Sequence, residues 1–126
     1  MSALASDPCM EDNALLDRSC IEEIRYIERA VGRSDVLSGF VGMLERNVAA
    51  FRAAFCESVA RGDSAGATRS AHTLKGACRQ LGARALGDLF ADIERSCKAG
   101  DYAEAQRRFD GSAALIAQSL QALRAA

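Results

Sequence analysis

The chain has 126 residues and a formal net charge of −1, with 49% hydrophobic and 26% charged residues. This length fits one domain with its own core, and the near-neutral charge argues against a general nucleic-acid binder. No apolar run approaches the roughly 18 residues of a membrane span. The sequence also lacks a basic segment followed by an apolar stretch, the pattern typical of a secretion signal. We therefore expect a cytoplasmic protein that binds neither nucleic acid nor membrane.

The N-terminal residues differ in composition from the rest of the chain. Residues 1–13 are small, polar and aperiodic, so we predict a flexible tail there and one helical domain over residues 14–126. Beyond residue 13, apolar residues recur at spacings of three and four, which predicts five helices. The stripes are Cys20, Ile24, Ile27, Val31; Leu37, Phe40, Val41, Leu44, Val48, Phe51, Phe55, Val59; Ala67, Ala71, Leu74, Cys78, Leu81; Leu86, Leu89, Phe90, Ile93, Cys97; and Tyr102, Phe109, Ala113, Ile116, Leu120, Leu123.

Short turn signals separate these stripes. A glycine follows each of the first four, where a helix end favours a left-handed residue. An aspartate follows three of the glycines and is a candidate N-cap or first-turn acid. The glycines are Gly32, Gly62, Gly82 and Gly100, and the aspartates are Asp35, Asp63 and Asp101. Such short connections favour antiparallel neighbours. We predict an all-α fold, an antiparallel up-and-down four-helix bundle with a short extra N-terminal helix.

The cysteines indicate no disulfide framework or zinc site. There are five, an odd number, and no two form a CxxC pair, so a reducing cytoplasm is expected. Cys20, Cys56, Cys78 and Cys97 lie within the predicted helical segments and are predicted to be small buried hydrophobes. Cys9 lies in the predicted tail.

The only histidine, His72, lies in the run Ser-Ala-His-Thr-Leu-Lys-Gly. At about 100° per residue, Lys75, Gly76 and Arg79 lie within about 60° of it, opposite the apolar stripe, so His72 is predicted to face solvent. A glycine inside a helix costs about 1 kcal/mol relative to alanine, which suggests clearance for an incoming group. The alternative remains an ordinary surface histidine, with Lys75 a solvated charge and Gly76 permitting close helix packing.

The same residues resemble a known signature. Ala71-His72-Thr73-Leu74-Lys75-Gly76, followed by Leu81-Gly82-Ala83 and Leu86, is similar to the motif of histidine-containing phosphotransfer (Hpt) domains. The similarity extends over about residues 16–123. It implies a four-helix bundle with an exposed histidine in the middle of a helix, which agrees with the fold predicted from the periodicity.

The resemblance also implies roles for single residues. His72 matches the phosphoacceptor, which takes a phosphoryl group on Nε2, and Lys75 matches the lysine that favours the phosphoryl charge. Gly76 matches the glycine that clears space beside the histidine. Glu94 matches a position whose side chain hydrogen-bonds the other imidazole nitrogen, and the alternative for it is an i,i+4 ion pair with Lys98.

The expected partners follow from the resemblance. They are the receiver domains of a hybrid histidine kinase and of a response regulator, which bring their own Mg²⁺, so no cofactor is expected in this chain. Arg69, Arg79 and Arg84 are candidates to meet the acidic pocket of a receiver, although each alone could be a solvated charge. We expect a monomer, because the surface around His72 is used for docking these partners.

We thus predict a phosphoryl carrier rather than an enzyme. The stretch from Gly82 to Gly87 is not followed by Lys-Ser or Lys-Thr, so it does not indicate an ATP site. One alternative is a helical module that docks and inhibits a receiver or kinase without phosphotransfer. Another is a metal or haem site formed by His72 and a cysteine, which the opposite placement of Cys78 argues against.

Overall fold

The computed structural model describes residues 14–126, which form six helices and no strand. The helices are α1 (Arg18–Val31), α2 (Val36–Ala60), α3 (Ser64–Leu81), α4 (Arg84–Lys98), α5 (Tyr102–Asp110) and α6 (Ala113–Ala125). The predicted all-α class is confirmed over this range. None of these helices is both long and apolar enough to cross a membrane. The predicted tail, with Cys9, lies outside the described residues.

The predicted fifth helix is in fact two helices, α5 and α6. They meet at Gly111 and Ser112, and the Ser112 hydroxyl donates a hydrogen bond to the Arg108 carbonyl at 2.6 Å. Glycine and serine are weak helix formers, and serine competes for backbone hydrogen bonds. The apolar spacing of three and four continues through the break, so periodicity alone predicted one helix.

Most helix ends follow the predicted signals. The four predicted C-terminal glycines all have positive φ, between 72° and 85°. Asp63 and Asp101 accept hydrogen bonds from backbone N–H groups of the first turns of α3 and α5, at 2.8 and 3.0 Å. Asp35 stands at the predicted N-cap position of α2, but its side chain makes no capping bond and pairs instead with Arg33 at 3.0 Å.

A buried carboxylate from α1 accepts the capping hydrogen bond that Asp35 does not. Glu28 accepts a hydrogen bond from Leu37 N–H in the first turn of α2 at 2.9 Å, and one from Arg25 at 2.9 Å. The Leu37 bond, followed by the Arg25 bond, lowers the pKa of Glu28 below its ordinary value. Arg25 also donates to the Ala126 carbonyl at 2.6 Å. This cluster ties α1 to the start of α2 and to the last residue of the chain.

The core centres on α3 and α4, which pack against each other. α3 also packs on α2, α4 packs on α5, and α6 contacts both α2 and α4. Every predicted stripe position of α3 and α4 is buried. Phe51 of α2 lies at the centre of an aromatic cluster, with ring centroids 5.3 Å from Phe90 and 5.0 Å from Phe109. The two helices that carry His72 and Glu94 are therefore the most firmly packed pair.

Several core predictions outside α3 and α4 are wrong. The side chains of Ile27, Val31, Phe40 and Val59 are exposed. The buried face of α1 runs instead through Ile21 and Glu28, because packing against α2 and α3 fixes the rotation of this short helix. Among the cysteines, Cys78 and Cys97 are buried as predicted, whereas Cys20 and Cys56 are only half-buried.

Candidate functional site

His72 projects from the solvent face of α3. Its neighbour Ala71 belongs to the buried stripe, whereas the imidazole side chain is 64% exposed. The predicted orientation is confirmed. A Cβ added at Gly76, one turn later, would meet no atom of the described chain within 4 Å. Close helix packing therefore does not require this glycine, and the surface beside His72 is open.

A carboxylate on α4 holds the imidazole. His72 Nδ1 lies 2.9 Å from Oε2 of Glu94, whose side chain is only 6% exposed. A carboxylate accepts hydrogen bonds, so the proton of the neutral imidazole belongs on Nδ1. The lone pair is then on Nε2, at the other edge of an exposed ring, where it is available to an incoming group.

Two lysines contact the same carboxylate. Lys75 Nζ lies 2.6 Å from Oε1, and Lys98 Nζ lies 3.3 Å from Oε2. The histidine contact and the i,i+4 pair with Lys98, which the sequence left as alternatives for Glu94, are thus both present. The Lys75 side chain is only 21% exposed, which argues against the alternative that Lys75 is simply a solvated charge.

These contacts determine the charge of Glu94. Burial alone would raise its pKa, but hydrogen bonds from Lys75, His72 and Lys98 outweigh burial and lower the pKa from 4.5 to about 2. A buried carboxylate is tolerated when its oxygens are paired in this way. Glu94 is therefore ionised at neutral pH and presents a negative charge to the Nδ1–H edge of His72.

An open cleft of about 590 Å³ lies between α3 and the end of α4. The residues that form it include His72, Arg69, Glu94, Lys98 and Tyr102. Lys98 and Tyr102 were not predicted as part of a site. The available signal for Lys98 was its position one helical turn after Glu94, on the same face of α4.

The three predicted arginines do not lie together. Arg69 lines the cleft with His72. Arg79 lies about two helical turns after His72 on α3, with its guanidinium 4.0 Å from Asp88. Arg84 begins α4, roughly 15 Å along that helix from Glu94 at 1.5 Å per residue, and its charge acts on Asp17.

The position of Cys78 does not support a metal site shared with His72. Cys78 is fully buried in the core, on the side of α3 opposite the exposed His72, and burial raises the pKa of its thiol to about 12. Within residues 14–126, no group of three or more His, Cys, Asp or Glu side chains could hold a metal ion. His72 and Cys78 therefore cannot bind the same metal ion.

Comparison with known proteins agrees with this geometry. No curated protein and no solved structure matches the chain. The Hpt domain family, however, matches residues 35–126, most of the chain, including α2 to α6 and the cluster of His72 and Glu94. Hpt domains are phosphocarriers that act in phosphorelays through a histidine and have no kinase activity of their own. With the motif, the helical fold and the matched region in agreement, the chain belongs to the Hpt domain family.

Proposed function

We propose that this protein carries a phosphoryl group on His72 Nε2 between receiver-domain aspartates of a multistep phosphorelay. The upstream receiver would belong to a hybrid histidine kinase, and the downstream receiver to a response regulator. The observation that carries the proposal is an exposed imidazole whose Nδ1 lies 2.9 Å from the buried carboxylate of Glu94. This arrangement leaves the nucleophilic nitrogen facing outward.

The proposed transfer needs little covalent chemistry from the protein. The Nε2 lone pair attacks the phosphorus of an aspartyl phosphate, and the N–P bond forms as the P–O bond breaks. The aspartate carboxylate leaves with the bonding electron pair. The proton stays on Nδ1, so the imidazole ring becomes positively charged. Glu94, which accepts the Nδ1 hydrogen bond, stabilises that charge, and the same steps in reverse deliver the phosphoryl group to the next aspartate.

The neighbouring residues have supporting roles in this proposal. Lys75 pairs with Oε1 of Glu94 and so helps to keep the carboxylate ionised and in place. Gly76 leaves the surface next to His72 clear for the receiver. Arg69 and Arg79 are exposed on the same helix, and with Arg84 they would attract the acidic pocket of a receiver. Any Mg²⁺ would be supplied by the receiver.

We further propose that α2, α3, α4 and the pair α5–α6 form an antiparallel up-and-down bundle, with α1 as the extra helix. Consecutive helices from α2 to α5 are joined by connections of two or three residues and pack against each other, as in antiparallel bundles. We expect a cytoplasmic monomer without a cofactor. Free thiols at the described cysteines are consistent with a reducing compartment.

A phosphotransfer assay tests the function. Receiver domains labelled with ³²P on aspartate are mixed with the wild-type chain or with His72→Gln, and circular dichroism verifies that the variant is folded. Wild type should take up acid-labile label, and His72→Gln should take up none. Normal uptake by His72→Gln would contradict the assignment. Receiver binding without any label on wild type would instead favour the docking module.

A further inference from the structure

We propose that Arg79, held in place by Gly87, selects receivers that carry an acidic side chain outside the pocket that transfers the phosphoryl group. The inference rests on the proposed function and adds to it a determinant of partner choice. In it, Arg79 is a partner-binding residue and Gly87 a positioning residue. The supporting observations are the space beside Gly87, the direction of the Arg79 side chain and the exposure of its guanidinium.

Gly87 is a buried glycine inside α4, and the side chain of Arg79 covers it. A Cβ added at Gly87 would lie 3.0 Å from Arg79 Cγ, closer than the optimal carbon–carbon separation of about 3.5–4.0 Å. Cys78 Cβ, at 3.8 Å from that position, would be an ordinary contact, so packing on Cys78 does not require glycine. The glycine therefore provides space for the aliphatic part of Arg79.

The helix faces that bring Arg79 and Gly87 together also carry the phosphoacceptor. Arg79 follows His72 by seven residues on α3, and Gly87 precedes Glu94 by seven residues on α4. Seven residues are about two turns, so Arg79 packs on Gly87 roughly 10 Å along the helix from the contact between His72 and Glu94. A transient interface of roughly 600 Å² per partner is about 25 Å across. A receiver centred on His72 therefore also covers Arg79.

The Arg79 side chain points across α4 rather than back towards His72. Its Cγ lies over Gly87, and its guanidinium ends 4.0 Å from the carboxylate of Asp88. Asp88 precedes Glu94 by six residues, roughly 9 Å along the helix. Arg79 can add to the long-range attraction of the receiver pocket, but in this position its close partner must be a different group of the receiver.

The guanidinium remains available to such a group. Its pair with Asp88 is long, and the side chains of Arg79 and Asp88 are 54% and 71% exposed. An exposed pair of this kind contributes little to stability, so a carboxylate of a partner can replace Asp88. Arginine binds a carboxylate through two parallel hydrogen bonds, and a side chain already held over Gly87 loses less freedom on binding. The favoured partner group is therefore Asp or Glu.

The experiment measures transfer to the full chain from the ³²P-labelled receiver that phosphorylates wild type, at increasing receiver concentrations. The variants are Arg79→Gln, Gly87→Ala and the double variant. Arg95→Gln removes an exposed cation from another face of α4 and is the control for charge. Gly39→Ala, at an open position of α2, is the control for a glycine change. Urea unfolding verifies that each variant is folded.

Loss of the Arg79 charge should weaken receiver binding without slowing the chemistry. Arg79→Gln should raise the KM for the receiver about three- to fivefold, the upper range of an exposed ion pair, and leave the maximal rate unchanged. Gly87→Ala should raise KM as well, because its methyl group displaces the Arg79 side chain. In the Arg79→Gln background Gly87→Ala should have no further effect. The increases should shrink in 0.5 M NaCl, which screens exposed charges, and both controls should change KM much less.

Several results would overturn the inference and leave the carrier function intact. They are a wild-type KM in Arg79→Gln or in Gly87→Ala, an equal effect of Gly87→Ala with and without the Arg79 guanidinium, and a lower maximal rate at unchanged KM in Arg79→Gln.

A reaction without a receiver separates the inference from the proposed function. With phosphoramidate, Nε2 of His72 attacks phosphorus and the P–N bond of the donor breaks to release ammonia. Wild type, Arg79→Gln and Gly87→Ala should form phosphohistidine equally fast, and a slower reaction in either variant would show damage at His72 and overturn the docking role. Absence of phosphohistidine from wild type, with phosphoramidate and with labelled receivers, would overturn the carrier function and this inference together.

Discussion

Replacing Glu94 with glutamine tests whether the shared carboxylate stabilises the folded protein. The substitution keeps the shape of the side chain and removes its charge. Glu94 contacts His72, Lys75 and Lys98 at 2.9, 2.6 and 3.3 Å. A glutamine oxygen can replace one carboxylate oxygen, but the amide NH₂ would face a donor. Glu94→Gln should therefore lose at least one hydrogen bond as well as the attraction to both lysines.

The size of the effect follows from the pKa. Burial opposes ionisation, yet the three hydrogen bonds lower the pKa of Glu94 from 4.5 to about 2. At 1.36 kcal/mol per pKa unit, the ionised carboxylate contributes about 3 kcal/mol to the free energy of unfolding. Because the folded-state pKa is the lower one, this contribution is present above about pH 4.5 and is lost as the pH falls towards about 2.

Urea unfolding of wild type and Glu94→Gln between pH 7 and pH 2 measures this contribution. The variant should be less stable by about 2–3 kcal/mol at pH 7, and the difference should shrink below pH 4.5 and nearly vanish at pH 2. Asp88→Asn, a similar change at an exposed position of α4, should alter stability by less than about 0.5 kcal/mol. A Glu94→Gln difference that is negligible at pH 7, or that does not depend on pH, would refute the reasoning.

Two further substitutions test the glycine beside His72 and a buried hydroxyl. The added methyl group of Gly76→Ala meets no atom of the described residues within 4 Å. The substitution should therefore stabilise α3 by about 0.5–1 kcal/mol yet slow transfer from a phosphorylated receiver. Gly39→Ala, at an equally open position in α2, is the control that should stabilise without slowing transfer, and unimpaired transfer by Gly76→Ala would contradict the clearance role. Ser119 is fully buried and its Oγ has no hydrogen-bond partner within residues 14–126, so Ser119→Ala should raise the free energy of unfolding by about 1 kcal/mol. Thermal unfolding measures this change, and a less stable variant would show that the hydroxyl is satisfied.

Local patterns in the sequence predicted much of the site. The stripes of α3 and α4 gave the buried face of each helix, and the four glycines with positive φ gave the helix ends. Since each residue advances about 100° around a helix, those stripes also placed His72 towards solvent. The resemblance to Hpt domains added Glu94 as the partner of His72.

Other features needed the packing of one helix on another. Glu28 lies in α1 but accepts from Leu37 N–H in α2, in place of the cap expected at Asp35. The exposure of Ile27 likewise follows from how α1 is rotated against its neighbours. The break at Gly111 left the apolar spacing unchanged, so periodicity could not reveal it.

The sequence by itself determined that this protein is helical, where most helices end and that its one histidine faces solvent. These properties depend on residues close together in the chain, which share one helix axis. Only the tertiary structure decided that Glu94 contacts His72, Lys75 and Lys98 together, and that Lys98 shares an oxygen with the imidazole. Those contacts depend on the register and rotation of α4 against α3, which the whole core fixes when it packs.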